Sequence, residues 1–353
     1  MHMADALLSP AVGISFMALS GGALAISAKK LKESAEESKI PLMGVLGAFV
    51  FAAQMINFTI PGTGSSGHLV GGILLMILLG PYAGFITLSS VLVIQALFFA
   101  DGGLLALGAN IWNMGFYTSF VGWLIYKLIV GKNPSQLRIS LAVIVASVVC
   151  LELGALSVVG ETILSGISEL PFQQFGLLML GIHLPIGLIE GIITVGVLNL
   201  VYRIRPGLIQ ESLGVKGKEA GALSYRSIAF GFALSAIVIG GGLAWFASAH
   251  PDGLEWSIFK SYGEEELAFS GKIQEKIAQV QEKIAILPDY GFKVSESEKG
   301  EEIEQEESWP NISLGTSLAG IFGSIFVLVI AGGIGFGIAR LKKDKNAGNS
   351  LEK

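Results

Sequence analysis

Long uncharged apolar runs alternate with short polar connections along the chain, and this pattern predicts helices that cross a membrane. A hydrocarbon core of about 30 Å needs roughly 20 apolar residues in a helix, so runs of about 17 or more without charge are span candidates. Nine such segments lie near 8–28, 40–56, 68–80, 82–100, 105–130, 138–163, 175–202, 226–247 and 313–338. The third is short and meets the fourth at Gly80-Pro81, which leaves open a short or partly re-entrant helix. The predicted fold class is an all-α polytopic membrane protein, with about seven transmembrane helices and then a two-helix hairpin carrying an extracytoplasmic domain. Within that outer domain, Lys272 to Ile286 places Ile273, Ile277, Val280 and Ile284 at helical spacing. Ser295 to Glu307 reads as a solvated acidic loop, and Pro251-Asp252-Gly253 as a turn.

Composition agrees with the pattern. The chain is 52% hydrophobic and 14% charged, against about 25% charged for a soluble domain, which excludes a water-soluble globular enzyme. The net charge of −5 averages two unlike regions. Residues 248–312 hold 15 Asp/Glu against 6 Lys, a net of −9, and the remainder carries +4. The single cysteine, Cys150, lies in an apolar run, so neither an internal disulfide nor a cysteine-based metal site is available. Forty-seven glycines suit closely packed membrane helices.

Lys and Arg accumulate on the cytoplasmic side of short loops, so the basic clusters give an orientation. They are Lys29/Lys30/Lys32/Lys39, Lys127/Lys132/Arg138, Arg203/Arg205/Lys216/Lys218/Arg226 and Arg340/Lys342/Lys343/Lys345. With nine crossings all four fall on one side only if the N-terminus lies outside and the C-terminus in the cytoplasm. The connections 57–67, 101–104 and 164–174 contain no Lys or Arg, as outer loops should. A signal peptide would begin with a positive segment, but the first basic residue is Lys29, so the N-terminus is expected to be retained at the cell membrane's outer face. His2 is large, so Met1 is expected to survive processing with a free α-amine. Residues 1–205 read as one membrane unit, 206–225 as a cytoplasmic linker, and 226–345 as a hairpin unit with its outer loop at 248–312.

Polar groups at membrane depth are costly, so those retained are functional candidates. Met1-His2-Met3 can chelate one ion through the α-amine, the amide nitrogen of residue 2 and its imidazole Nδ1. Such a set needs a deprotonated amide, which Ni²⁺ and Cu²⁺ promote in square-planar nitrogen fields. A Gly/Ser-rich loop from Asn57 delivers His68, a possible fourth nitrogen; the loop lacks the Lys of a phosphate-binding P-loop. Asn57, Gln95, Asp101, Asn110 and Asn113 can orient the imidazoles or the N-terminal segment, and hydrogen bonding between helices without any ligand is equally open. His183 and Glu190 lie two turns apart on one helix face, where a ligand, a relay or a structural hydrogen bond to a nearby carboxylate are all open. Glu152 and Glu161 can serve similarly.

These residues resemble a known family. Met1-His2-Met3, the loop ending Gly67-His68, Gln95 to Gly103 and Ala109 to Met114 are similar to the NikM/CbiM nickel/cobalt substrate-capture components of energy-coupling-factor (ECF) transporters. Arg226 to Arg340, with Pro251-Asp252-Gly253-Leu254-Glu255, resembles the NikN partner, giving a NikMN-type fusion. The resemblance implies metal ligation by Met1, His2 and His68, with Ni²⁺ or Co²⁺ as transported substrate. It also implies import powered by a transmembrane coupling protein (T component) and a cytoplasmic ATPase (A component). The lipid bilayer is the remaining partner, and no nucleic acid and no catalytic residue are expected. The loop is more like nickel-type members, since it lacks the Cys-Ser-His character of cobalt-type ones. The rival readings are a cobalt importer for cobalamin synthesis, an intramembrane hydrolase using Glu190, His183 or Ser65/Ser66, and a structural scaffold.

Overall fold

The computed structural model describes residues 1–34, 40–131, 134–212, 224–264, 267–293 and 309–351. The acidic segment from Ser295 to Glu307 falls outside them. Five helices are long and apolar enough to cross a membrane. They are α1 (Pro10–Ser34), α4 (Pro81–Ile94, continued as a wider π-helical turn over Gln95–Phe99), α7 (Gln136–Ser165), α8 (Phe172–Ile204) and α13 (Leu314–Leu351). Two shorter apolar helices, α2 (Ile40–Gln54) and α10 (Tyr225–Gly241), complete the hairpin packing. A further column is built in pieces: α5 (Leu107–Asn110), a π-helical stretch Ile111–Val121 and α6 (Gly122–Val130).

The third segment takes the short form left open above: α3 (Gly72–Leu79), entered through non-helical residues 68–71. At 1.5 Å per residue, eight residues rise only about 12 Å. Every residue of α3 is buried, which is what allows irregular backbone at membrane depth. At Gly80-Pro81, both partly exposed, the chain turns into α4.

Outward faces of α1, α7 and α8 expose Ile14, Ile26, Leu141, Leu156, Leu177 and Leu188, the apolar surface a bilayer would cover. The hairpin helices α10 and α13 pack on α2 through small residues. A Cβ on Gly44 would stand 2.6 Å from the Leu328 carbonyl, and one on Gly240 would stand 3.0 Å from the Gly320 backbone. The basic stretch after α8 is not a free linker at its start: α9 (Pro206–Ser212) buries Leu208 and Ile209 against the bundle.

At the opposite end the outer piece contributes α11 (Gly253–Tyr262) and α12 (Lys272–Ile284). The latter is helical as expected, but its buried residues are Gln274 and Gln281, while Ile273, Val280 and Ile284 are exposed. The reason is polar. Gln274 donates to the Leu8 carbonyl at 3.3 Å, and Gln281 donates to the Ala96 and Gly102 carbonyls at 2.9 and 2.7 Å. These backbone acceptors at chain ends and turns would otherwise lack partners.

Candidate metal centre

The N-terminal segment is threaded into the bundle. Met3 N–H donates to Asn110 Oδ1 at 2.8 Å, and the Met3 carbonyl accepts from Asn110 Nδ2 at 3.2 Å and Gly103 N–H at 2.9 Å. Asp5 accepts from Ala106 N–H at 3.0 Å. Met3 is fully buried with its sulfur against Asn113, so it points into the bundle and not at the outer cavity. Asn113 also donates to Glu161 at 2.9 Å. The side chain of His2 is left between Asp101, 3.1 Å from Nδ1, and Gln95, 3.3 Å from Nε2. Burial pushes the His2 imidazole below its ordinary pKa despite Asp101 beside it, so the neutral, ligand-competent form is favoured.

His68 arrives by a different route. Strands β1 (Phe58–Ile60) and β2 (Ser65–Gly67) form a small antiparallel hairpin that ends at it. Its Nδ1 lies 3.1 Å from the Leu69 carbonyl, which as acceptor leaves the lone pair on Nε2. The next residues are non-helical inside the bundle, with Gly71 left-handed, and their backbone groups are met by side chains. Glu190 accepts from Val70 and Gly71 N–H at 3.1 and 3.0 Å, and Gln54 donates to the Val70 carbonyl at 2.9 Å. This corrects the expected His183–carboxylate bond. His183 Nδ1 sits 2.8 Å from the Met179 carbonyl, and Glu190 is committed to the segment behind His68.

The Pro-Asp-Gly turn proves to be a helix start. Asp252 is the N-cap of α11, with Oδ1 accepting from Leu254 and Glu255 N–H while Glu255 accepts from Asp252 N–H, a complete capping box. The motif also grips the hairpin. The Pro251 carbonyl accepts from Ser66 N–H at 2.8 Å, Ser66 Oγ donates to the His250 carbonyl at 2.7 Å, and Trp256 Nε1 donates to the Thr63 carbonyl at 3.0 Å. The second carboxylate oxygen of Asp252 accepts from the Met1 ammonium. Burial alone would raise the Asp252 carboxyl, but the Met1 ammonium and the capping N–H groups hold it well below the usual carboxylate range. Asp252 in turn pushes Glu255 up to about 7, with burial adding to the effect.

These three routes converge. The Met1 amine lies 3.4 Å from His68 Nε2, and the His2 and His68 rings stack with centroids 5.2 Å apart. An open cavity of about 410 Å³ leads to the two imidazoles, with Asp101, Asp252, Glu255 and Asp289 on its walls. Acidic walls of one sign focus potential and raise the local concentration of cations. Among the described residues no three His, Cys, Asp or Glu side chains converge as a metal cluster. His2 Nδ1 faces Asp101 and not the Met1 amine.

Of the expected residues, Met1, His2, His68, Gln95, Asp101, Asn110 and Asn113 lie in or directly around this centre, and Asn57 lines the cavity. His183 sits behind His68, with Met1 and Asp252 around it. The sequence reading missed Asp252, Gln54 and Tyr290, whose hydroxyl bonds Asp101 and lies 3.3 Å from Gln95 Nε2. Only Asp252-x-x-Glu255 carried a readable signal, that of a capping box. The Ser65 and Ser66 hydroxyls donate to backbone carbonyls, and among the described residues neither bonds a histidine ring, the pairing that activates a serine nucleophile.

Comparison with known proteins bears on the whole chain. Residues 2–208 match the model of the CbiM family, described as a cobalt uptake substrate-specific transmembrane region, and residues 226–340 match the PDGLE domain. A relative in Archaeoglobus fulgidus, named as a fused nickel transport protein NikMN, is 39% identical over 68% of this chain and 79% of its own length. The cobalt transport protein CbiM of Geobacter sulfurreducens is 30% identical over 60% of this chain and 62% of its own. Two solved structures of transition metal transporters, one truncated, are 31% and 32% identical. They cover 62% and 57% of this chain and 100% and 99% of their own, with TM-scores of 0.52 and 0.50. The chain is thus a multi-pass membrane protein of the CbiM family of nickel and cobalt transport proteins, joined in one polypeptide to a PDGLE domain as in the NikMN-type fusions.

Proposed function

We propose that this protein is the substrate-capture subunit of an ECF-type importer and takes Ni²⁺ at the outer face of the cell membrane. The ligands in this reading are the Met1 amine, the His2 amide nitrogen and Nδ1, and His68 Nε2. The observation that carries it is the 3.4 Å approach of the amine to His68 Nε2, with the His2 ring stacked beside it. Four nitrogens in a plane suit Ni²⁺. Residues 1–205 hold the ion, and residues 226–345 support the site through Asp252. The N-terminus is outside and the C-terminus cytoplasmic, in keeping with the basic clusters at the far ends of α1, α6, α8 and α13. Coupling and ATP hydrolysis belong to separate T and A components.

Metal titration of the purified full chain with an authentic Met1 tests this reading, alongside the same chain carrying extra residues before Met1. The extended protein and His68→Ala lose Ni²⁺ binding. Unchanged affinity in the extended protein refutes the ligand set. Because binding displaces protons from the amine and the amide, affinity weakens as pH falls. The cobalt transport proteins among the relatives favour Co²⁺ as the second reading, and competition between the two ions separates them.

A further inference from the structure

One face of α12 stays uncovered. Ile273, Val280 and Ile284 are 55%, 50% and 43% exposed, and Ile277 is half-buried on the same stripe. At about 100° per residue these four side chains fall within about 60° of arc. Gln274 and Gln281, bonded to the Leu8, Ala96 and Gly102 carbonyls, lie about 70–90° to one side of the stripe. Lys272, Lys276 and Lys283, all exposed, lie about 70–110° to the other side. Glu275 and Glu282, also exposed, point almost directly away from it. The helix thus has one side on the bundle, one apolar, one basic, and an acidic side opposite the apolar one. Lysines beside an apolar face, with the acids farthest from it, form the pattern of a helix lying in a membrane surface.

The depth of α12 fits that place. Immediately after it, the Ile286 and Leu287 N–H groups donate to the Phe98 carbonyl at 2.9 and 3.1 Å, at the end of the α4 span. The same two residues share an apolar cavity of about 180 Å³ with Phe98, Phe99 and, on α13, Phe322 and Phe326. The apolar span of α13 runs from Leu314 for 29 residues, about 43 Å at 1.5 Å per residue. A hydrocarbon core of about 30 Å centred on that span begins about 7 Å from Leu314. Phe322 stands about 12 Å along the helix from Leu314, so Ile286 lies at or below the edge of the core. Ile286 is exposed, as are Phe322 and Ile325 on α13. The uncovered surface therefore continues from α12 through Ile286 into the bilayer-facing side of α13.

We propose that α12 lies in the surface of the bilayer on the side of the metal centre, with Ile273, Ile277, Val280 and Ile284 among the acyl chains and Lys272, Lys276 and Lys283 at anionic lipid headgroups. A second copy of the chain fits the stripe less well, because paired helices carry charged rows on both flanks of the seam, and here one flank is taken up by the bundle. The segment that follows α12 brings Tyr290 to Asp101 beside His2. Seating α12 in lipid thereby fixes one wall of the metal cavity.

The test uses the full chain in nanodiscs of phosphatidylcholine with or without phosphatidylglycerol. In a Cys150→Ser background a fluorescent label is attached at Val280→Cys or, on the far side of the helix, at Glu282→Cys, and Ile273→Cys gives a second reading of the apolar face. Lipids carrying a nitroxide near the top of the acyl chain should quench the Val280 and Ile273 labels several-fold more strongly than the Glu282 label, and aqueous iodide should do the reverse. Phosphatidylglycerol should strengthen the lipid quenching, and replacing Lys272, Lys276 and Lys283 together with Gln should remove that increase. The pattern is expected with or without NiCl₂, so it stands or falls separately from metal capture. Iodide access at Val280 and Ile273 equal to that at Glu282 overturns the assignment, as does energy transfer between Val280 labels on two copies. Lipid quenching indifferent to phosphatidylglycerol overturns the role of the lysines.

Discussion

Replacing Asp252 with Asn removes one negative charge and keeps a side-chain oxygen for the helix cap. In the wild type that carboxylate takes the Leu254 and Glu255 N–H groups on one oxygen and the Met1 ammonium on the other. The ammonium side of the pair is 4% exposed and the carboxylate 15%. Exposed ion pairs contribute about 0–1 kcal/mol, and removing one partner of a fully buried pair costs about 3–5 kcal/mol. A pair exposed on one side falls between these limits, at about 2–3 kcal/mol. The cost appears as release of the N-terminal segment, a local opening favoured about 30- to 150-fold more than in the wild type. The rate at which an amine-reactive reagent labels the Met1 α-amine, read by mass spectrometry of the N-terminal peptide, measures it. Asp252→Ala should match Asn in labelling and lose about 1 kcal/mol more in the first turn of α11, read by amide hydrogen exchange. An unchanged labelling rate in Asp252→Asn would refute the view that the PDGLE motif holds the amine.

Glu190→Ala should destabilise the ion-free protein by about 3 kcal/mol or more, because two charge-assisted bonds to the segment behind His68 are lost inside the bundle, and Glu190→Gln by less; thermal melting in detergent gives the order. Gly253→Ala should cost about 1–3 kcal/mol in the same assay, since its Cβ would meet His183 and Ile186 atoms at 3.0 Å. Glu255 has its pKa raised to about 7 by Asp252, so its contribution to stability is lost as pH rises from the ordinary carboxylate value through 7. Glu255→Gln, which can still complete the capping box, should therefore be more stable than wild type above pH 7 and equal to it in acid. The side chain is exposed, so the gain is below about 1 kcal/mol. A pH-independent difference would show that the repulsion from Asp252 is not its cause.

The span pattern was legible because hydrocarbon thickness fixes helix length, and Met1, His2 and His68, expected together from their nitrogen donors, do meet beside the outer cavity. What escaped was long-range. Asp252 reaches Met1 across 251 positions, and no local pattern encodes that meeting. Glu190 looked like a partner for His183 because they share a helix face, but the non-helical backbone at Val70 and Gly71 has buried N–H groups that need an acceptor inside the bundle. The α12 face was misleading for a similar reason. Its isoleucines dominate the periodicity, while the glutamines meet carbonyls left open by turns far away in sequence.

The Asp252 turn belongs to the same polypeptide as the N-terminus it holds, and α10 and α13 already fix it to α2. Its contact with Met1 and the β1–β2 hairpin is consequently unimolecular. Tethering of this kind corresponds to effective concentrations in the millimolar range. A contact of a few hydrogen bonds and one ion pair, too weak to assemble two separate proteins at cellular concentrations, is then occupied almost continuously. Its opening and closing are then events within one molecule, independent of protein concentration.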